Sequence, residues 1–227
     1  MDFSLVGANI VKLWTNYWHL FILEGVVVTL KLTSLAVILG AVLGIFVTML
    51  KMSRFKIVRF LITVYVEVIR GTPLLLQLYL FYFVLPSLLP VFNFSPFTWV
   101  AIALCINSSA YVSEVFRSGI QSVDKGQTEA ARSLGLSGGQ TMARVILPQA
   151  VKNVLPALGN EFIMMLKETS LASTFFIGDL MTKYIEVKGA TYLALEALII
   201  TGAIYLCMTY PLSKLVEAFE RKMNNGK

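Results

Sequence analysis

Two long stretches of this chain, residues 32–50 and 71–113, contain no charged side chain. Each is long enough to cross the hydrocarbon core of a bilayer, which takes roughly 20 helical residues. In lipid the backbone must satisfy its own hydrogen bonds, so only helices and closed barrels are possible. Both stretches lack a period-two alternation and are too long for barrel strands. The sequence therefore predicts an all-α polytopic membrane protein.

Composition agrees with a lipid environment, because 57% of the 227 residues are hydrophobic and only 14% are charged. Soluble domains carry about a quarter charged residues. No repeat or linker divides the chain, so residues 1–227 are predicted to form a single transmembrane domain. The pattern predicts five transmembrane segments, at about residues 24–50, 57 to 86–90, 96–117, 148 to 167–170 and 189–216.

Most of the 19 basic residues lie in three places: between the first and second segments, between the third and fourth, and after the fifth. Loops rich in Lys and Arg stay in the cytoplasm. The predicted orientation therefore has the N-terminus outside and the C-terminus in the cytoplasm. An odd number of crossings agrees with this, because it places the two termini on opposite sides. Aromatic residues before the first segment, such as Trp14 and Trp18, are typical of a membrane interface.

A polar, basic loop at about residues 118–148 separates the third and fourth segments. It contains good helix formers around Glu129, and Thr128 is positioned to cap the start of a short helix. Gly135 can adopt a left-handed conformation and end that helix. Pro148 is suited to the first turn of the next helix, where its missing N–H does little harm. A solvated connector helix without a partner is the alternative interpretation.

The spacing within this loop resembles the EAA…G…I-x-L-P pattern of the membrane subunits of bacterial ATP-driven (ABC) importers, and only Val145 departs from it. The resemblance implies a coupling helix that seats in a groove of a separate ATPase subunit. The residues that match the family's coupling pattern are Glu129, Ala130, Ala131, Gly135, Leu147 and Pro148.

The same loop contains the letters LSGGQ at residues 136–140, a string better known from ATPase subunits. That signature works together with a phosphate-binding loop, GxxxxGK[ST], which the chain lacks. We therefore interpret LSGGQ here as coincidental. ATP and Mg²⁺ are expected on the partner ATPase, with no cofactor, no metal site and no catalytic residue in this chain.

A second resemblance covers most of the chain after the first segment. Residues 65–77 (YVEVIRGTPLLLQ), 107–120 (NSSAYVSEVFRSGI), 160–162 (NEF) and 167–171 (KETSL) are similar to motifs of the polar-amino-acid branch of these importers. The break Gly71-Thr72-Pro73 should end a helix inside the second segment, because Pro73 lacks an N–H and crowds the preceding turn.

Ionisable residues at membrane depth are costly and usually face a cavity or one another. Glu67 and Arg70 share a helix face, either as pathway residues or as an ion pair that holds the kink. Asn107, Tyr111 and Glu114 form a stripe that faces either the pathway or a neighbouring helix. The candidate substrate-pathway residues are Glu67, Arg70, Asn107, Tyr111, Glu114, Glu161 and Lys167.

These features predict the permease subunit of an ATP-driven importer of polar amino acids, in the bacterial inner membrane. The resemblance implies as partners a pair of ATPase subunits, a second permease subunit (identical or not) and an extracytoplasmic substrate-binding protein. Membrane lipid and an amino acid substrate complete the set, and nucleic acid is not expected. The alternative is a channel or secondary transporter that works without an ATPase.

Overall fold

In the computed structural model, which describes residues 3–224, the chain is helical throughout and contains no strand within that range. Its helices are α1 (Phe3–His19), α2 (Val27–Lys51), α3 (Lys56–Gly71), α4 (Leu74–Tyr79), α5 (Leu85–Leu88), α6 (Pro96–Gln121), α7 (Lys125–Ser133), α8 (Gly138–Thr141), α9 (Leu147–Glu168), α10 (Leu180–Thr191) and α11 (Ala194–Asn224). Three π-helical turns and one 3₁₀ turn join neighbours, at Leu20–Val26, Leu80–Val84, Met142–Ile146 and Thr169–Phe175.

Helices α2 and α6 form the centre of the bundle and run parallel to each other. Two glycines of α2 permit the close approach. A Cβ atom added at Gly40 would lie 2.7 Å from the Ser108 side chain, and one at Gly44 would lie 2.8 Å from Val112. Thr48 continues the register, because its hydroxyl donates to the Ser113 carbonyl at 3.1 Å. Small residues of this kind let membrane helices pack backbone to backbone.

Helix α9 packs against both α6 and α11 and is antiparallel to each. Near the end of α6, Gly119 packs so closely against Val154 that a Cβ atom would not fit. A few turns earlier in α6, the Ser108 hydroxyl donates to Glu161, which lies later in α9 than Val154. On the other side, Gly159 packs against Val216 of α11. The helices α6, α9 and α11 therefore alternate in direction, as in a bundle that crosses a membrane repeatedly.

Within the part of the chain that the structure describes, three helical stretches are long and apolar enough to span a membrane, namely residues 4–51, 96–121 and 194–223. A fourth is possible if α3 and the helical stretch 74–88 count as one span, although they are bent by 106°. The fourth predicted segment coincides with α9, which forms a helix but does not qualify as a span by length and composition. Five crossings therefore stay a prediction.

Two helix boundaries lie away from the predicted segment boundaries. The helix that contains the first predicted segment begins well before residue 24, because one helical stretch of 48 residues runs from Ser4 to Lys51. At 1.5 Å per residue it is about 72 Å long, more than twice a hydrocarbon core. The fifth predicted segment begins late, at Ala194, because Tyr192 takes a left-handed conformation (φ 60°) and ends the separate helix α10.

Helix α10 is fixed to the π-helical turn Leu20–Val26 at the end of the bundle remote from the 118–148 loop. Gly25 lets the two elements touch, since a Cβ there would lie 2.9 Å from the Leu180 Cα. The Lys183 ammonium pairs with Glu24 at 2.7 Å and with Glu186 at 2.9 Å. Burial favours neutral Lys183, but the hydrogen bonds to both carboxylates outweigh it and raise the pKa of the amine.

Candidate functional site: the 118–148 loop and the buried polar residues

The helix predicted within the 118–148 loop is present as α7. Asp124 caps it, not Thr128: the Asp124 carboxylate accepts a hydrogen bond of 2.7 Å from the Gly126 N–H. Asp124 has an extended backbone, as an N-cap requires, whereas Thr128 already lies inside the helix. The expected helix is confirmed, and the expected cap is wrong by one turn.

Gly135 ends α7 in the predicted manner, with φ at +84°. The Leu136 N–H donates to the Ala131 carbonyl at 3.2 Å, and the Gly135 N–H donates to the Arg132 carbonyl at 3.0 Å. These two bonds form a Schellman motif, which satisfies carbonyls that the helix end would leave unpaired. The Arg132 guanidinium adds a 2.9 Å bond to the Leu136 carbonyl. Backbone and side-chain hydrogen bonds therefore both stabilise this turn.

One face of α7 is turned to solvent. Ala131 alone is buried within this helix, while Glu129 and Ala130 are exposed. Glu129 forms no ion pair with any residue in the range 4–223. Leu134 projects an apolar side chain that is 84% exposed. It was not among the predicted site residues, although its position next to the helix-ending Gly135 could have indicated it.

The LSGGQ letters are explained by a helix start. Ser137 and Gln140 form a capping box at the beginning of α8: the Gln140 N–H donates to the Ser137 hydroxyl, and the Ser137 N–H donates to the Gln140 side chain at 2.8 Å. A Ser followed three residues later by Gln is the sequence requirement for that motif. The local geometry thus accounts for these residues without a nucleotide.

Pro148 occupies the predicted position near the start of α9, although the helix does not start anew there. The helical path is continuous over residues 138–168, and Pro148 lies in the first turn of α9 after the π-helical turn Met142–Ile146. Widened π turns commonly absorb local strain in helices. Two side-chain bonds tie the loop to α9: Gln149 donates to Gln127 at 3.4 Å, and Asn153 donates to Ser122 at 2.8 Å.

The predicted break at residues 71–73 is confirmed, and a glutamine from the next helix stabilises it. The Gln77 amide donates to the Ile69 carbonyl at 2.7 Å and to the Thr72 hydroxyl at 2.9 Å, which satisfies groups freed by the break. Its oxygen accepts a 2.9 Å bond from Asn107. Asn107 therefore links two helices, which is the alternative to a pathway role that the sequence left open.

Glu114 lies among three cationic residues, Lys51, Arg70 and Arg117. We name these four residues the Glu114 cluster. The Glu114 carboxylate accepts hydrogen bonds from Lys51 at 2.5 Å and Arg117 at 2.6 Å, and Arg70 lies 3.8 Å away. The Arg70 guanidinium also lies over the Tyr111 ring, 5.4 Å from its centroid. Arg70 thus pairs with Glu114, and the alternative of an ion pair between Glu67 and Arg70 does not hold among residues 4–223.

The remaining candidates lie apart from this cluster. Glu161 is 5% exposed, and its carboxylate accepts a long bond of 3.4 Å from the Ser108 hydroxyl. Glu67 is exposed on α3, and Lys167 is exposed near the end of α9. Of the seven predicted pathway residues, the structure brings together Arg70, Tyr111 and Glu114. Lys51, Gln77 and Ser108 were missed, because their partners are distant in sequence.

Comparisons with known proteins agree with these observations. The family model described as "Binding-protein-dependent transport system inner membrane component" matches residues 36–225. The chain is 43% identical over 206 residues to the arginine transport system permease protein ArtQ of Bacillus subtilis (strain 168), covering 91% of this chain and 94% of that protein. It is 38% identical over 226 residues to the probable glutamine ABC transporter permease protein GlnM of the same organism, covering 100% of both.

The solved structures give the same result. A chain in the crystal structure of an amino acid ABC transporter with histidines is 50% identical to this one. The match has a TM-score of 0.87 and covers 92% of this chain and 96% of that chain.

Proposed function

The chain belongs to the family of inner membrane components of binding-protein-dependent transport systems, and we propose that it moves polar amino acids into the cytoplasm as the permease subunit of an ATP-driven importer. As a member of this family it is a transport subunit and not an enzyme, and ATP is hydrolysed by a separate subunit. The comparisons favour this function over an ATPase-independent channel or secondary transporter.

One observation carries the proposal: the exposed face of α7 within the 118–148 loop. Glu129 and Ala130 face solvent at its centre, and Leu134 projects at its end. A short helix with an unpaired carboxylate and a protruding apolar side chain suits a groove on a partner protein. We propose that Glu129, Ala130, Ala131 and Gly135 form the coupling helix, and that Leu147 and Pro148 connect it to α9.

The proposed topology has five crossings, made by α2, α3 together with the stretch 74–88, α6, α9 and α11. The N-terminus is outside, and the 118–148 loop and the C-terminus are in the cytoplasm. Two permease subunits, identical or different, enclose the pathway, and a substrate-binding protein delivers the amino acid from outside. ATP and Mg²⁺ bind to a pair of ATPase subunits, whose closure moves the α7 helices and switches the pathway between inward- and outward-facing states.

The polar residues suggest how an α-amino acid is held on its way. Such a substrate needs a cation for its carboxylate, and Arg70 or Lys167 can supply one. Its ammonium group needs a carboxylate, and Glu161 and Glu67 have no cationic partner within residues 4–223. Glu114 is less available, since Lys51 and Arg117 already neutralise it. Asn107 and Tyr111 complete the polar surface beside these groups.

The test is co-purification of the permease with its ATPase subunit. Leu134→Asp should abolish the complex, because it places a charge where an apolar side chain enters the groove. Val91→Asp is the matched control, since Val91 is 81% exposed and lies outside the 118–148 loop. A Leu134→Asp chain that retains the ATPase as well as the Val91→Asp chain does would refute α7 as the docking helix.

Transport is tested with the permease, the ATPase and the binding protein reconstituted in liposomes. ATP-dependent uptake of a polar amino acid is the expected result. Uptake that proceeds on an ion gradient without the ATPase would overturn the proposed function.

A further inference from the structure

Helix α3 carries three separate stripes of side chains, each along its whole length. At 100° per residue, the buried or half-buried positions Val58, Ile62, Tyr65, Val66 and Ile69 fall on one face. This face packs against the bundle, where the Tyr65 hydroxyl bonds to Ser109 at 2.6 Å. A helix needs only one such face to pack, so the other two stripes require a different explanation.

The second stripe of α3 is polar and the third is apolar. The polar one is made of Lys56, Arg59, Thr63, Glu67 and Arg70, spaced three or four residues apart. The third stripe is apolar and open, with Ile57 75% exposed and Phe60 66% exposed, and it continues through Leu61, Val64 and Val68. A helix that has cationic residues on one face and large apolar residues on another is typical of a membrane surface.

The start of α3 lies at the cytoplasmic side of the bundle. The axis of α3 turns by 106° into the stretch 74–88, whose 15 residues are about 22 Å long and therefore shorter than a hydrocarbon core. In the proposed topology, α3 therefore supplies the inner part of this crossing. Its start follows Lys51, which pairs with Glu114 about 18 residues after the start of α6, where a crossing of roughly 20 residues ends. The Ile69 carbonyl accepts a bond from Gln77, which also bonds to Asn107, only about 11 residues after that start.

The cations at the start of α3 face solvent, and the Arg54 guanidinium lies over the ring of its neighbour Phe55, 5.1 Å from its centroid. Arg54, Lys56 and Arg59 are exposed, and none forms an ion pair with a residue in the range 4–223. By contrast, the other end of α3 is fixed to the bundle by Arg70 and Tyr65. Unpaired cations beside an exposed apolar stripe are complementary to a phosphate headgroup and its acyl chains.

We propose that the start of α3 binds anionic phospholipids of the cytoplasmic leaflet. Arg54, Lys56 and Arg59 contact the headgroup phosphates, and the stripe from Ile57 to Val68 faces the acyl chains. This inference rests on the proposed topology but not on the identity of the substrate.

The first test measures retention of phosphatidylglycerol against phosphatidylcholine by the purified, assembled complex, using native mass spectrometry. Lys56→Gln combined with Arg59→Gln should lower the preference for phosphatidylglycerol about fivefold for each cation removed. Arg221→Gln combined with Lys222→Gln is the control, which removes the same charge from the far end of α11. Equal losses in both variants, or no loss in either, would overturn the proposal.

The second test identifies what covers the apolar stripe. A photoreactive benzoylphenylalanine replaces Phe60 in the assembled complex in phosphatidylcholine–phosphatidylglycerol vesicles, with position 38 of α2, where Ile38 is 63% exposed, as the reference. We expect a lipid adduct at position 60. A cross-link to a second permease, to the ATPase or to nothing would refute the proposal. Because neither readout requires transport, failure here with intact uptake leaves the proposed function standing.

Discussion

The Glu114 carboxylate on α6 lies 2.5 Å from the Lys51 ammonium at the end of α2, and both side chains are about 15% exposed. The pair joins two parallel helices next to the start of the 118–148 loop. Arg117 approaches the same carboxylate from one turn further along α6. Any movement of the loop relative to α2 must therefore keep or break this pair.

We predict that Glu114→Gln lowers the free energy of unfolding by about 3 kcal/mol, because it leaves Lys51, Arg70 and Arg117 together without a counter-charge. Lys51→Met should cost less, since Arg117 still neutralises the carboxylate. Unfolding of the purified chain by sodium dodecyl sulfate in mixed micelles measures both effects. In a double-mutant cycle, we expect a coupling energy of about 1–3 kcal/mol between the two positions. Strictly additive effects would show that the pair contributes nothing.

A second prediction concerns the contact between α2 and α6. Gly44→Ala should destabilise the chain by about 1–3 kcal/mol, because the new methyl group would overlap Val112 at 2.8 Å. Val112→Ala in the same chain should recover part of the loss. Gly202→Ala is the control: its Cβ would meet no atom within 4 Å, so stability should stay the same or rise. Equal unfolding curves for Gly44→Ala and Gly202→Ala would contradict the packing described here.

The sequence predicted the helix ends at Gly71–Pro73 and at Gly135 because both are local effects of the backbone. Proline removes a donor, and glycine accepts a positive φ, whatever the rest of the fold does. The cap of α7 was predicted wrongly within the same short region. Asp124 and Thr128 are both competent caps, and only the path of the chain after Gln121 decides between them.

Contacts that close over long sequence distances could not be predicted. Nothing near Glu114 in sequence indicates Lys51, whereas the partner three residues away, Arg117, follows from helical spacing. The direction of α3 was also missed, because residues 57–90 look like one apolar segment. Hydropathy reports how much apolar surface a segment has, but it does not report a 106° bend within that segment.

A third prediction is a pH dependence that arises at Asp179, which caps α10. The carboxyl is fully buried, and burial raises its pKa above the usual 3.8, although hydrogen bonds from Thr182 and the Met181 N–H oppose the rise. The folded state thus holds this proton more tightly than the unfolded state. The contribution to stability is fully present below the unfolded pKa and is lost as pH rises through the folded pKa.

Asp179→Asn should remove that pH-dependent loss and keep the cap, so its stability should equal or exceed that of the parent chain near neutral pH. Asp179→Ala should be about 1 kcal/mol less stable than Asp179→Asn at every pH, because the Met181 N–H is left without its acceptor. Thermal unfolding between about pH 4 and pH 8 distinguishes the two. A parent chain that gains stability relative to Asp179→Asn as pH rises would contradict the raised pKa.

The last prediction tests whether the end of α7 must be rigid for coupling. Gly135→Ala forces a side chain into a backbone with φ at +84°, at a cost of about 1 kcal/mol, and should loosen the Schellman turn that positions Leu134. We expect weaker ATPase binding and less uptake per ATP hydrolysed in proteoliposomes, with Gly135→Asn less affected. Gly139→Ala is the matched control, because Gly139 is helical and its Cβ would meet no atom within 4 Å. If both alanine variants retained full coupling, the fixed geometry of this turn would be unnecessary for coupling ATP hydrolysis to uptake. Docking of α7 on the ATPase would then be sufficient.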